Sequence, residues 1–175
     1  MREKILHEKG SFLRDAVFSA SDGLVTTFAV VAGSAGASLG PMVVLALGFA
    51  NLFADGFSMS SGTYLGVKSE IDYENAQGDT DVYEASPLKQ AFVTFISFDI
   101  AGLIPLTPYI LGLPNAFYYS LIMVVLSLFL VGAIKGKYTE KGIIRSGFEM
   151  FVVGGLSALV AFFTGDFMEK LFVRG

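Results

Sequence analysis

"PMVVLALGFANLFADGFSMSSGTYLGV", residues 41 to 67, is mostly apolar and small, and carries one amide, Asn51, and one charged side chain, Asp55. As a helix rising 1.5 Å per residue it reaches about 40 Å, more than the roughly 30 Å hydrocarbon core of a bilayer. Four further stretches read the same way: Ala16 to Ala37, Leu88 to Leu111, Asn115 to Ile134 and Phe148 to Phe163. The composition agrees. The chain is 53% hydrophobic and only 16% charged, against about 25% charged in a soluble domain, and its mean hydropathy is +0.62. The fold class expected is all-α, an integral membrane domain of five transmembrane helices over residues 16–165, which leaves little of the chain for a separate soluble domain.

The segments outside the spans set the expected orientation. Residues 1–15, "MREKILHEKGSFLRD", are charged and amphipathic and lack the apolar run of a cleavable signal. They are expected as a short interfacial helix with Ile5, Leu6, Phe12 and Leu13 toward lipid, and His7 reads as a surface histidine. Arg2, Lys4, Lys9 and Arg14 precede the first span, Lys68 and Lys89 flank the 68–87 loop, and Lys135, Lys137, Lys141 and Arg145 separate spans four and five. The opposite loops, "SAGASLG" and "GLPN", carry no basic residue. The positive-inside rule therefore expects a cytoplasmic N-terminus and 68–87 loop, with the 166–175 tail extracytoplasmic. The absence of cysteine excludes disulfides and thiolate metal sites.

Acids inside the spans carry the functional signal. Asp22, Asp55, Asp99 and Glu149 lie in or near spans one, two, three and five. An acidic side chain at mid-bilayer costs roughly 2.5–3.5 kcal/mol on insertion scales, so such residues face a bundle interior or a wet pathway. On span two, Gly48, Asn51, Asp55, Met59, Gly62 and Gly66 recur at helical spacing, and on span one Asp15, Ser19, Asp22, Thr26, Ala29 and Gly33 do the same. Carboxylate, amide and hydroxyl oxygens can replace the water shell of a cation, and the Met59 thioether favours a transition metal such as Fe²⁺ or Mn²⁺. A methionine in a membrane helix is also common packing filler.

Each acid has a plainer account as well. Asp22 before Gly23 would cap a helix starting at Leu24. Glu149, four residues after Arg145, would form an intrahelical ion pair. Asp99, ahead of Pro105 and Pro108, is open between proton relay and interhelical hydrogen bonding. In the loop, Glu70, Asp72, Glu74, Asp79, Asp81 and Glu84 would gather divalent ions at the cytoplasmic mouth or simply be solvated.

The stretches "RDAVFSASDGLVTTFAVVAGSAGA" (14–37) and "ADGFSMSSGTYLGVKSE" (54–70), with "LIPLTPYIL" (103–111) and "RSGFEMFVVGGLSALVAFFTG" (145–165), resemble the vacuolar iron transporter family. The resemblance implies five transmembrane helices, a homodimer with the ion path at its two-fold interface, and export of Fe²⁺ or Mn²⁺ from the cytosol in exchange for protons. It places Asp22 and Met59 on the ion path. A glutamate common in the family eight residues before that methionine is here Asn51, so Asp55 is expected to supply the carboxylate. The cytoplasmic metal-binding helical domain of the plant members has no room in a loop of about twenty residues. The metal candidates are thus Asp22, Asn51, Asp55 and Met59, and the proton-coupling candidates Asp55, Asp99 and Glu149. Metal is expected as transported substrate with no resident cofactor and no enzymatic activity, and the partners are protons, the bilayer and a second copy, not nucleic acid. The membrane would be the plasma membrane in a prokaryote and a vacuolar-type membrane in a eukaryote. Two other classes stand beside this one: an assembly or adaptor protein whose acids serve helix association, and an intramembrane aspartyl protease, whose Y-D and G-x-G-D pair does not occur around Asp22 or Asp55.

Overall fold

The computed structural model describes residues 2–78 and 86–172, with side chains from residue 9 onward. His7, Asp79, Asp81, Glu84 and Arg174 therefore lie outside the described side chains. Five helices follow one another: α1 Arg2–Gly36, α2 Pro41–Ala76, α3 Pro87–Ile110, α4 Ala116–Tyr138 and α5 Ile143–Phe172. Each contains a stretch long and apolar enough to cross a bilayer. The chain is a multi-pass, all-α membrane protein, with no strand among the described residues.

The helices outrun the apolar stretches. The leader and the first span form one unbroken helix, in which no proline intervenes. α2, at 36 residues, measures about 54 Å, so its last turns, bearing Glu70, Asp72 and Glu74, extend beyond an apolar core of roughly 30 Å. The breaks fall where turn chemistry demands them. Pro41 and Pro87 occupy first helical turns behind Gly40 and Ser86, and the Ser86 hydroxyl accepts from the Lys89 amide at 3.4 Å. After α3 the chain reverses through Gly112 at φ +61°, a left-handed conformation that glycine adopts without penalty.

α1 is the central helix, packed against all four others; α2 touches only α1 and α3, and α4 pairs most extensively with α5. An apolar core of Leu24, Phe28, Val31, Leu106, Val124 and Leu128 joins α1, α3 and α4, and Phe28 stacks on Phe117 with ring centroids 6.1 Å apart. Large apolar side chains such as Phe53, Phe57, Ile100, Leu126 and Val160 face outward, as expected where the solvent is lipid. Helix association then rests on close packing at small residues. Gly23 of α1 abuts the Phe98 carbonyl of α3, Gly165 of α5 abuts the Gly33 backbone, and Gly48 of α2 receives the Leu106 side chain.

Candidate functional site

The helix registers bring three aspartates to one level. In the α2–α3 pair, Gly48 meets Leu106, Leu52 meets Gly102 and Gly56 meets Asp99, which makes the two helices antiparallel with Asp55 beside the Asp99 level. In the α1–α3 pair, Gly23 meets Phe98 and Gly102, and Thr27 also reaches Gly102, which makes these two parallel with Asp22 at the same height. Asp99 stands in the middle of α3, twelve residues after Pro87 and eleven before Ile110. Asp22, Asp55 and Asp99 thus share one level of the bundle, near the middle of α3, one from each of three helices. The Asp22 and Asp55 carboxylates are within electrostatic reach of each other. The ion pairs of the described residues join Arg14 to Asp15, Lys135 to Glu149 and Lys170 to Asp166, and none of them involves these three acids.

The three differ in their surroundings. Asp22 is half-buried in the middle of α1. The helix-capping account is therefore ruled out, since no helix starts at Leu24. Together with Ser21, Val25, Leu128 and Met150 it lines a cleft of about 770 Å³ between α1, α4 and α5, at whose edge stand Arg14 and Lys135. Thr26 donates its hydroxyl back to the Asp22 carbonyl at 2.8 Å. Asp55 is also half-buried. Its sequence neighbours Phe53 and Phe57 do not enclose it, because on a helix they project away from it and are exposed to the lipid side.

Asn51, Asp55 and Met59 lie along one half-open edge of α2. Gly62 and Gly66 continue that edge with nothing within 4 Å, whereas Gly48, assigned to the same stripe from spacing, is buried against Leu106. The Nδ2 of Asn51 is buried without a hydrogen-bond partner. The edge is small, polar and uncovered within one chain.

Asp99 is the enclosed member. Its residue is 9% exposed, both carboxylate oxygens lack a hydrogen-bond partner, and Oδ2 would lie 2.7 Å from a methyl group added at Gly56. The interhelical hydrogen bond that would explain an acid here does not form. Glu149 has the opposite character: its side chain is 62% exposed and paired with Lys135 of α4 at 3.5 Å, across helices rather than with Arg145 of its own. On the extended end of α2, Glu70 and Glu74 share a face and Asp72 points elsewhere, and among the described residues no three acidic or histidine side chains gather around a common point.

The VIT family model matches residues 13–85 and 76–166. The chain belongs to the VIT family. The two matched pieces meet at 76–85, in the connection between α2 and α3, where this chain is short. Similar proteins include vacuolar iron transporter 1 of Arabidopsis thaliana, 28% identical over 87% of this chain and 84% of the relative. The vacuolar iron transporter of Toxoplasma gondii is 24% identical over 96% and 78%, and vacuolar iron transporter 1 of Oryza sativa subsp. japonica is 27% identical over 87% and 84%. Membership places this VIT protein among metal transporters, not enzymes.

Proposed function

We propose that this protein carries Fe²⁺ or Mn²⁺ across the membrane out of the cytosol in exchange for protons, and that two copies place their α2 edges together to form the path. The observation that carries the reading is that Asp22 and Asp55, from different helices, stand at one level within electrostatic reach of each other and outside the ion pairs of the described residues. Two half-buried acids within electrostatic reach repel each other; a dication or a proton relieves that repulsion, so the two compete for one place. Asn51 and Met59, a turn on either side of Asp55, add an amide oxygen and a thioether sulfur suited to a transition-metal substrate. The uncovered Gly62 and Gly66 of the same edge suit close approach of a second copy. The basic end of the bundle, with Arg14, Lys68, Lys89, Lys135 and Arg145, faces the cytosol in this reading.

The exchange follows from linkage. Metal entering the Asp22–Asp55 site displaces protons, so binding weakens as pH falls and metal leaves toward the acidic compartment. In proteoliposomes, wild-type protein should take up radiolabelled Fe²⁺ or Mn²⁺ when a pH gradient is imposed, and metal binding in detergent should release protons. Asp55→Asn should abolish or severely slow the pH-driven flux, and Asp22→Asn should cripple it. Flux from Asp55→Asn at the wild-type rate and with the wild-type pH dependence would move the exchange site away from Asp55.

A further inference from the structure

The cleft of about 770 Å³ between α1, α4 and α5 has a chemistry that a metal ion does not explain. Its walls are mainly apolar, from Val17, Phe18 and Val25 of α1, Leu128 of α4 and Val153 of α5, and its edge carries the cations of Arg14 and Lys135. Ser21 and Ser157 in the walls donate their hydroxyls to backbone carbonyls of their own helices, which blunts their polarity. Positive charge at the entrance repels a metal ion. What the lining matches is an amphiphile with a negative head and a hydrocarbon tail.

The dimensions agree with one kind of amphiphile. Arg14 and Val25 are eleven residues apart along α1, about 16 Å, and half of a hydrocarbon core of roughly 30 Å is one leaflet. The cations therefore stand one leaflet away from the deep end of the apolar walls. A helix of a second copy is too bulky for the cleft: at about 10 Å across, the same length of it takes roughly 1,200 Å³. A single acyl chain is far slimmer.

The charges at the edge are free to take an anion. Residues 9–15 and 135–149, around the entrance, hold six basic side chains against three acidic ones. Arg14 commits Nε and Nη2 to a single Asp15 oxygen, at 3.0 and 2.9 Å, and its side chain is 65% exposed, so the rest of the guanidinium fork is open. Lys135 meets Glu149 only at 3.5 Å, longer than a normal N–H···O hydrogen bond, and exposed pairs of this kind contribute little. Arginine and lysine between membrane helices are suited to lipid phosphate. Tyr138, exposed beside them at the same edge, is the side chain expected at headgroup level.

We propose that this cleft binds one anionic phospholipid, with its phosphate held by Arg14 and Lys135 and one acyl chain laid between α1, α4 and α5 as far as Val25. The chain covers Asp22 from the α4–α5 side, so that an ion reaches Asp22 from the α2 side. That last consequence rests on the transport reading above; occupancy by lipid does not.

The protein has no tryptophan, so a single introduced one reports on its own surroundings. Phe18 lines the cleft and is 63% exposed, whereas Phe148 lies outside it and is 61% exposed. Gly33 of α1 packs between Ala161 and Gly165 of α5, and fifteen residues back along both helices Phe18 comes level with Phe148. Phe18→Trp and Phe148→Trp are each placed in phosphatidylcholine vesicles with a minority of phosphatidylglycerol, and bromine is carried on the chains of one lipid or the other. Brominated phosphatidylglycerol should quench Phe18→Trp several-fold more than its share of the bilayer predicts, and Phe148→Trp only in proportion to that share. Proportional quenching at both positions would overturn the site. Absence of quenching by either lipid in Phe18→Trp would overturn it too, by showing that protein covers the cleft. Adding Lys135→Gln to Phe18→Trp leaves the Arg14–Asp15 pair in place and should cut the excess at least two-fold; an undiminished excess would put the headgroup elsewhere. Native mass spectrometry of the unaltered protein provides a check without substitution: it should retain one phosphatidylglycerol in preference to phosphatidylcholine, and equal retention would count against the site. If the protein moves no metal, the transport reading fails while the quenching ratios still decide the lipid.

Discussion

Gly56 determines how near the Asp99 carboxylate comes to α2. With 2.7 Å between Oδ2 and the place of an added methyl, Gly56→Ala has to push Asp99 or the whole of α3 aside, an overpacking cost of about 1–3 kcal/mol. The expected outcome is a lowered Tm in detergent for Gly56→Ala, with Gly62→Ala unchanged as monomer because nothing stands within 4 Å of Gly62. Equal Tm for wild type and Gly56→Ala would mean that the two helices pack less tightly than described. Met59 is tested by chemistry rather than shape. Met59→Leu conserves volume and should cost less than about 1.5 kcal/mol in stability, yet weaken Fe²⁺ or Mn²⁺ transport if the sulfur touches the ion. Unchanged rate and apparent affinity would make Met59 a packing residue.

At this scale the sequence was legible in type but not in placement. Spacing alone put Asn51, Asp55 and Met59 on one edge and they lie there, because periodicity along a single helix is local information. It did not show that Gly48 is buried by Leu106, that Asp99 ends against Gly56, or that Glu149 pairs with Lys135, since these depend on where a second helix crosses. The polar row on α1 was drawn through Asp22 and Thr26. Its neighbour through Gly23 and Thr27 proved to be the one facing α3, a difference of one residue, or about 100° around the helix.

Among the helices, length separates what the apolar stretches announced from what folds. Hydropathy marks where the solvent is lipid, not where the backbone stops being helical, so α1 extends back through the leader to Arg2 and α2 runs on to Ala76. The starts of α2 and α3, each with a proline in the first turn, fall at or next to the first residue of the apolar stretch. The extension of α2 also reshapes the acidic segment. Glu70 and Glu74 are fixed on one side of a helix and Asp72 on another, so that part of the loop presents a pair of carboxylates, not a cluster.

For the molecule as a whole, the distribution of basic residues makes a topological prediction. An epitope inserted at Gln77 should be reached only from the cytoplasmic side, and one fused at Gly175 only from the other, because an odd number of spans separates the charge-rich N-terminus from the tail. Protease protection in sealed vesicles reads both positions, and exposure of the two on one side would refute the five-span crossing. Five spans and the family were readable from the chain. The pairing of the helices was not, because in lipid every apolar face is equally welcome outside and only the small-residue contacts decide which helices meet.

Those contacts divide the molecule unevenly. α2 touches neither α4 nor α5, and apart from Glu149 every residue assigned to metal or proton lies in α1, α2 or α3. The turn at Gly112 is thus a seam between two trades: a front three-helix cassette that handles ions and a rear hairpin that braces α1 from behind. Changes in the hairpin reach the ions through the posture of α1 and through the cleft wall that Leu128 and Met150 share with Asp22, so substitutions there should act as tuning screws on the rate, leaving the choice of ion to the cassette.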